Sequence, residues 1–396
     1  MIDFTIDNFK DLNIQFPPTK IIFGNNAISR LIEEIKILKG NRVLIVTDKQ
    51  LVRLGLLDQI NSKLRKENID FYVFDEVIPN PPISQVENAI KFSKDKDIDL
   101  IIGFGGGSSL DTAKIVAIMS KNEGKIIDYI GLDKINKFGL PKILIPTTSG
   151  SGSEVSHSAV LTDERDGNKK VIYGFPLFAE VALIDPILTL NLPPKITSET
   201  GMDALTHAIE GFVSWKSNMI SDYFAAQSIS LIAKYLRPAY ARGEKSIESR
   251  YNMSLASTLA VMALVISAGG GAVHGLSYPV GAKSHRSHGE SIAILLPYVM
   301  NFNLIGNVHK FAIISKLMGY DNDNLNETEM AKNSIKAVKE LSKDIHLPQR
   351  MRDINIQKDE IISLTEIAFK NFKYHFDRNP RRINPESAKK IYENAW

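Results

Sequence analysis

Asp203 and His207 stand four positions apart in GMDALTHAIE, residues 201–210. Residues i and i+4 of a helix share a face, so this carboxylate and this imidazole can converge on one point. By itself such a pair serves as readily in a hydrogen-bonded helix as in a metal site. Downstream, in GGGAVHGLSYPVGAKSHRSHGES (269–291), His274 follows a glycine triplet and His288 precedes Gly289. Glycine beside each histidine is expected to let the backbone turn and aim the ring inward. Three imidazoles and a carboxylate are borderline donors suited to Fe(II), Zn(II), Ni(II) or Co(II), and they leave room for a substrate oxygen. His285 lies three residues from His288 and competes for the ligand role, whereas His157, His309 and His375 have no partner in this pattern and read as structural or exposed.

A second chemistry is written earlier in the chain. GFGGGSSLDTAK, residues 103–114, follows an apolar run and opens a helical pattern. Small residues there let backbone N–H groups approach a pyrophosphate, and the helix N-terminus adds partial positive charge. Gly105, Gly106, Gly107 and Ser108 are the resulting cofactor candidates. Asp111 sits in the first helical turns as a further cofactor-side candidate or as dipole compensation, and Lys114 reads as a surface base. PTTSGSGSE, 146–154, ends another apolar run in hydroxyls and glycines that suit a phosphate or a ribose. Asp48, at the end of VLIVTD, stands where a carboxylate accepts a ribose 2′-hydroxyl and repels a 2′-phosphate, which favours NAD over NADP.

These groups need a scaffold, and the first half supplies one pattern throughout. RVLIVT (42–47), FYVFDEV (71–77), LIIGFGGG (100–107), KILIPTT (142–148) and VALIDP (181–186) alternate with helical stretches. Alternation of that kind predicts βαβ units, a parallel sheet flanked by helices, and ligands beyond the carboxyl ends of its strands. After LNLPPKITSE (190–199) the strand signals stop, and the chain to Trp396 reads as helix punctuated by Gly and Pro. A domain boundary is expected near residue 192. The uncharged run SLASTLAVMALVISAGGGAV, 254–273, has the length of a membrane span, but its serines and glycine triplet predict a buried helix instead.

Composition narrows the function classes. The 396 residues are 44% hydrophobic and 23% charged, with 48 basic against 45 acidic side chains, a balance that points to neither nucleic acid nor an anionic membrane as partner. The absence of cysteine excludes disulfides, thiolate catalysis and thiolate metal sites. The opening MIDFTIDNFKDLNIQF has no basic n-region and no apolar h-region, which predicts a cytoplasmic protein.

The motifs VTDKQLV, VIPNPP, GGGSSLDTAK, PTTSGSGSEV, GMDALTHAIEGFVS, HGLSYPVG, HGESIAILLPYVM and the NPR at 379–381 follow one another along nearly the whole chain. In them the chain resembles the metal-dependent, iron-containing (group III) alcohol dehydrogenases. The resemblance implies a dehydroquinate synthase-like fold: an α/β dinucleotide-binding domain with a parallel sheet over residues 1–192, an all-α metal-binding domain over 193–396, and a cleft between them. It implies Asp203, His207, His274 and His288 as metal ligands, which sets His285 aside. It further implies Asp48, Asn80, Gly106, Gly107, Ser108, Thr147, Thr148 and Lys169 as cofactor contacts. Many members carry a second histidine four positions after the ligand matching His274, credited with proton transfer. Here Tyr278 holds that place, and its ordinary pKa near 10 makes it a poorer relay near neutrality.

The implied activity is NAD(P)- and metal-dependent oxidation of a small alcohol to an aldehyde or ketone, and the reverse reduction. NAD is expected as cofactor, with Fe(II), or Zn or another divalent ion, as metal, and a homodimer or larger homo-oligomer as the assembly. Because the tyrosine variant also occurs in hydroxyacid-oxoacid transhydrogenase-like relatives, that chemistry is an alternative. Glycerol dehydrogenase-like polyol oxidation is another, and a non-catalytic nucleotide binder is the distant one.

Overall fold

The computed structural model describes residues 14 and 16–396. They form two compact units, Pro17–Asn191 and Leu192–Trp396, the second joined by Phe16, whose ring meets Phe224 edge-on at 6.5 Å.

The first unit is built on β1 (Lys20–Phe23), β2 (Arg42–Val46), β3 (Asp70–Phe74), β4 (Leu100–Gly105), β6 (Lys142–Pro146) and β9 (Val181–Ile184). All six run parallel in the order β1-β9-β6-β4-β2-β3. Between them lie α1 (Leu31–Ile37), α2 (Lys49–Arg53), α3 (Asp58–Lys66), α4 (Ile83–Asp95) and α5 (Gly107–Met119). Successive strand residues face opposite sides. Val43 and Ile45 join Leu31, Ile35, Ile60 and Leu64 in one core, while Leu44 and Val46 join Val86, Ala89, Leu110 and Ala113 in another. Burial on both faces is why the central strands read as unbroken apolar runs, the property that made them visible in the sequence.

Two pieces of this unit have no such signature. β1 is a four-residue edge strand, partly exposed along its length. β7 (Ser158–Asp163) and β8 (Asn168–Tyr173) form an antiparallel hairpin, with the two-residue β5 (Gly131–Leu132) beside β8. β7 buries only alternate residues, so it carries no continuous apolar run.

The second unit is helical. It comprises α6 (Pro194–Val213), α7 (Met219–Arg242), α8 (Ile247–Ile266), α9 (Ala272–Ser284), α10 (His288–Asn303), α11 (Val308–Leu317), α12 (Glu327–Asp344), α13 (Ile361–Phe376) and α14 (Pro385–Ala395). Pro194 starts α6 where a missing N–H costs nothing, and nearly every residue from Thr197 to Val213 is buried, including the polar ones. The uncharged run 254–273 is divided between α8 and α9 by a turn at Gly269, whose φ of +99° lies in the region that favours glycine. Among the described residues, no helix is long and apolar enough to cross a membrane.

Candidate functional site

Positions 203, 207 and 210 fall on one face of α6, and Asp203, His207 and Glu210 are each less than a tenth exposed. The Gly269 turn leads α9 in, with the buried His274 in its first turn. α10 opens on His288, whose side chain keeps 26% of its exposure. His207 Nε2 and His274 Nε2 each lie 3.8 Å from Asp203 Oδ1, and His288 Nε2 lies 4.0 Å from the same atom. These separations are too long for hydrogen bonds. Asp203, His207 and His274 bring ligand atoms within 4.8 Å of one another, a grouping that could hold a metal ion, while His288 reaches Asp203 from outside that trio. Asp203 Oδ1 and His274 Nε2 are buried without a hydrogen-bond partner among the described residues. Burial alone pushes the Asp203 carboxyl up, but the imidazole of His207, followed by those of His274 and His288, outweighs it and holds this acid well below the usual carboxylate range.

Glu210 fixes the far side of His274. Its Oε2 lies 2.5 Å from His274 Nδ1 and accepts from the Gly271 N–H at 2.9 Å, while Oε1 accepts from the Val273 N–H at 2.6 Å. A Cβ at position 271 would come within 2.8 Å of Oε1, so the close approach requires glycine. Burial pulls the His274 imidazole down, and the carboxylates of Glu210 and Asp203 overcome it, raising it to about 9. A cation held at Nε2 would take the place of that proton and leave Nδ1–H on Glu210. Glu210 is absent from the sequence expectations, although its place seven residues after Asp203, on the same helical face, is a signal for it.

The rings around the centre form a second layer. Tyr278, one turn beyond His274 and 5% exposed, stacks on His288 at 5.1 Å and 6°, with Phe372 at 4.8 Å. His375, expected to lie apart from this pattern, instead runs parallel to His274 at 6.3 Å and 16°. Nothing local in the sequence marks it, because its partners come from a helix about a hundred residues earlier. The other histidines stay outside: His285 is exposed at the end of α9, His309 pairs with Glu327, and His157 packs on Phe178 at 5.2 Å. Of the glycines near His274 and His288, Gly269 makes the turn expected before His274, whereas Gly275 and Gly289 act differently from expectation. Gly275 and Gly289 lie within helices and serve close packing: a Cβ at 289 would sit 2.4 Å from the Glu199 carbonyl oxygen, and one at 275 would sit 2.7 Å from the Phe376 ring.

In the first unit, β4 hands over to α5 through the glycine loop. Gly105, at φ +148°, has Ser109 Oγ where a Cβ would come within 2.6 Å, and Gly106 caps α5. Thr147 is buried and donates its N–H to the Gly105 carbonyl at 3.0 Å, and Thr148 flanks Gly106, so the two loops abut. Asp48 caps α2, with Oδ1 accepting from the N–H groups of Gln50 and Leu51. Asn80 is exposed at φ 55°, and its carbonyl accepts from Thr162 Oγ1. Lys169 is buried on β8, whereas its neighbour Lys170 pairs with Asp166 at 2.6 Å. Asp111 is engaged by the protein itself, accepting from Ser153 Oγ at 2.5 Å and from the Val160 N–H at 2.9 Å. Lys114 is fully buried rather than on the surface. It donates to Ser156 Oγ and the Ser158 carbonyl, and burial pushes it down to about 8 despite Asp111. This pair braces the loop at 153–160 against α5.

Residues 18–186 match the family described as iron-containing alcohol dehydrogenase, and residues 197–396 match its C-terminal counterpart, the Fe-containing alcohol dehydrogenase family, C-terminal. The chain belongs to the iron-containing alcohol dehydrogenase family. Among relatives of this family, it is 39% identical over 386 residues to long-chain-alcohol dehydrogenase 1 of Geobacillus thermodenitrificans, covering 97% of this chain and 96% of that one. A crystal structure of 1,3-propanediol oxidoreductase superposes with a TM-score of 0.93 at 35% identity, over 98% of this chain and 100% of the other. Sulfoacetaldehyde reductase from Bifidobacterium kashiwanohense, solved in complex with NAD+, superposes with a TM-score of 0.84 at 28% identity, over 98% and 99%. As an iron-containing alcohol dehydrogenase the chain is an oxidoreductase of small alcohols, the activity expected from its motifs. These comparisons do not favour the alternatives weighed beside that activity.

Proposed function

We propose that this chain couples oxidation of a small alcohol, and the reverse reduction, to NAD, with a divalent metal held by Asp203, His207, His274 and His288. The observation that carries this reading is Asp203 Oδ1: buried, without a hydrogen-bond partner among the described residues, and with three imidazole Nε2 atoms 3.8–4.0 Å away. That donor set, free of thiolate, suits iron first, as in the family's name, and zinc as the alternative. When bound, the metal supplies Lewis acidity that eases loss of the alcohol proton, and NAD supplies the hydride acceptor.

The chain's own residues do the rest. Glu210 holds His274 in the tautomer that presents a bare Nε2. Tyr278, stacked on His288, is proposed to pass the alcohol proton outward. The glycine loop at 105–108, with Thr147 and Thr148, is proposed to receive the pyrophosphate at the start of α5, with Asn80 and Lys169 as further contacts. Asp48 is proposed to accept a ribose 2′-hydroxyl. Both of its backbone donors fall on Oδ1, which leaves Oδ2 for the ribose, and a 2′-phosphate there meets a like charge, favouring NAD. Asp111 joins this set only by bracing the loop. Family membership further supports a homo-oligomeric, cytoplasmic enzyme, with sedimentation as the check on assembly.

The test is His274→Ala together with chelation, read by elemental analysis and by absorbance in the reduced-nicotinamide band. The variant is expected to lose bound metal and turnover while its affinity for NAD stays within about twofold. Full turnover by thoroughly chelated wild-type protein overturns the proposal.

A further inference from the structure

Asn80 lies in the connection between β3 and α4, past the carboxyl end of its strand, where ligands of such sheets bind. Its φ of 55° puts a residue other than glycine in the left-handed region, a conformation that persists where the surroundings hold it. The β7–β8 hairpin does the holding. Thr162 donates its Oγ1–H to the Asn80 carbonyl at 3.1 Å and its N–H to the Pro81 carbonyl at 2.9 Å, and it bridges to Pro82. Two residues on, the Glu164 carboxylate accepts from the N–H groups of Ile83 at 3.1 Å and Ser84 at 3.2 Å, the first two of α4. From the other side, Gln85 Oε1 accepts from the Ile78 N–H at 3.1 Å. The exposed Asn80 carboxamide makes no hydrogen bond among the described residues.

Thr162 also stands directly opposite Lys169 across the hairpin, so the two side chains share a face. Ala159, Leu161 and Ile172 take the other face and join the apolar core of the unit. One threonine thus links Asn80, by hydrogen bond, to Lys169, by strand pairing, although these two lie far apart in the chain. The Thr162–Asn80 bond is at the surface, where water serves either group nearly as well. It therefore adds little to stability and mainly selects one conformation of the connection. A carboxamide whose backbone is fixed and whose polar atoms are unengaged is ready to bind, because the cost of ordering its backbone is met on folding.

We infer that Thr162 is a positioning residue for the dinucleotide: by holding the Asn80 carbonyl it fixes where the Asn80 carboxamide points, and so sets affinity for NAD through Asn80. This rests on the cofactor contacts proposed above and adds the residue that places one of them.

The test is calorimetric titration of NAD into metal-loaded protein, with steady-state kinetics beside it, for wild type, Thr162→Val, Thr162→Ser, Asn80→Ala and the Thr162→Val, Asn80→Ala double variant. Thr162→Val keeps the shape and removes the donor. It is expected to weaken NAD binding about fivefold, the usual contribution of one hydrogen bond, and to raise KM for NAD by a similar factor. Over the same change, kcat at saturating NAD, KM for the alcohol and metal content stay within about twofold. Thr162→Ser, which keeps the hydroxyl, stays near wild type. On the Asn80→Ala background the valine is expected to change affinity less than about 1.5-fold, because the group it positions is gone. Wild-type affinity in Thr162→Val overturns the inference, and so does a serine variant as weak as the valine. A loss of the same size with and without the Asn80 side chain, or a fall in kcat that matches the rise in KM, assigns Thr162 to general support of the fold and overturns it too. If Asn80→Ala binds NAD as wild type does, the proposed contact fails and the inference with it. If wild type itself binds no NAD, the cofactor reading fails, a result distinct from all of these.

Discussion

Glu210 makes three short contacts, to one imidazole and two backbone N–H groups, and so sets both the tautomer of His274 and the shape of the turn that delivers it. A carboxylate can satisfy three donors at once, whereas an amide in its place turns its own N–H₂ toward one of them. Glu210→Gln is therefore expected to weaken metal binding about 10- to 100-fold, measured by competition against a chelator of known affinity. Wild-type affinity in that variant makes the contact incidental. At this scale the sequence is uneven as a guide. Asp203 and His207 are legible because four-residue spacing has one geometric meaning on a helix, and Glu210 was equally legible on the same face. His375 was not, since the groups that surround it lie on α9 and in the turn before it. Lys114 was misread because its position in the middle of α5 carries no information about what packs over that helix.

Helices α6 and α10 approach so closely that Gly289 meets the backbone of Glu199, and this contact sets where His288 begins its helix. A methyl group at that point would sit 2.4 Å from a carbonyl oxygen, and backbone cannot rotate aside as a side chain can. Gly289→Ala is expected to destabilise the fold by about 1–3 kcal/mol and to weaken metal binding as well, because His288 is its immediate neighbour. Denaturant titration with and without added metal checks both effects; a variant as stable as wild type shows that the helices can part at no cost. The parallel strands were legible as apolar runs, whereas β1 and the β7–β8 hairpin were not, being short or buried on one side only. The glycines near His274 and His288 were legible as special. Their purpose was not, because turning and close packing call for the same residue.

For the molecule as a whole, His375 links the site to acid stability. Burial, aided by the neighbouring His274, pushes its imidazole from the usual 6.5 down to about 3 in the folded chain. The unfolded chain takes up a proton near pH 6.5 and the folded one does not, so this contribution is fully present above that pH and drains away as pH falls toward 3. Between pH 7 and pH 5 the loss is about 2 kcal/mol. Unfolding titrations at the two pH values should show wild type losing that much more than His375→Phe. Equal losses mean that the ring is protonated, or hydrated, in the folded state. The two-part arrangement was legible from the change in pattern after residue 190, because alternating strands give way to helices there. The packing of Phe16 against Phe224 was not, since no short-range pattern pairs residues two hundred positions apart.

The NPR at 379–381 closes the end of α13 onto α10. The Asn303 amide donates to Asn379 Oδ1 at 2.8 Å, the Asn379 amide donates back to Asn303 Oδ1 at 2.6 Å, and Arg381 donates to the Phe302 carbonyl. Deamidation of either asparagine sets a carboxylate against a carbonyl oxygen and turns a mutual bond into repulsion. The usual route to that damage is attack on the side-chain amide by the backbone nitrogen of the following residue. Pro380 follows Asn379 and has no N–H to attack with, so the sequence that fastens this corner also slows its chemical ageing.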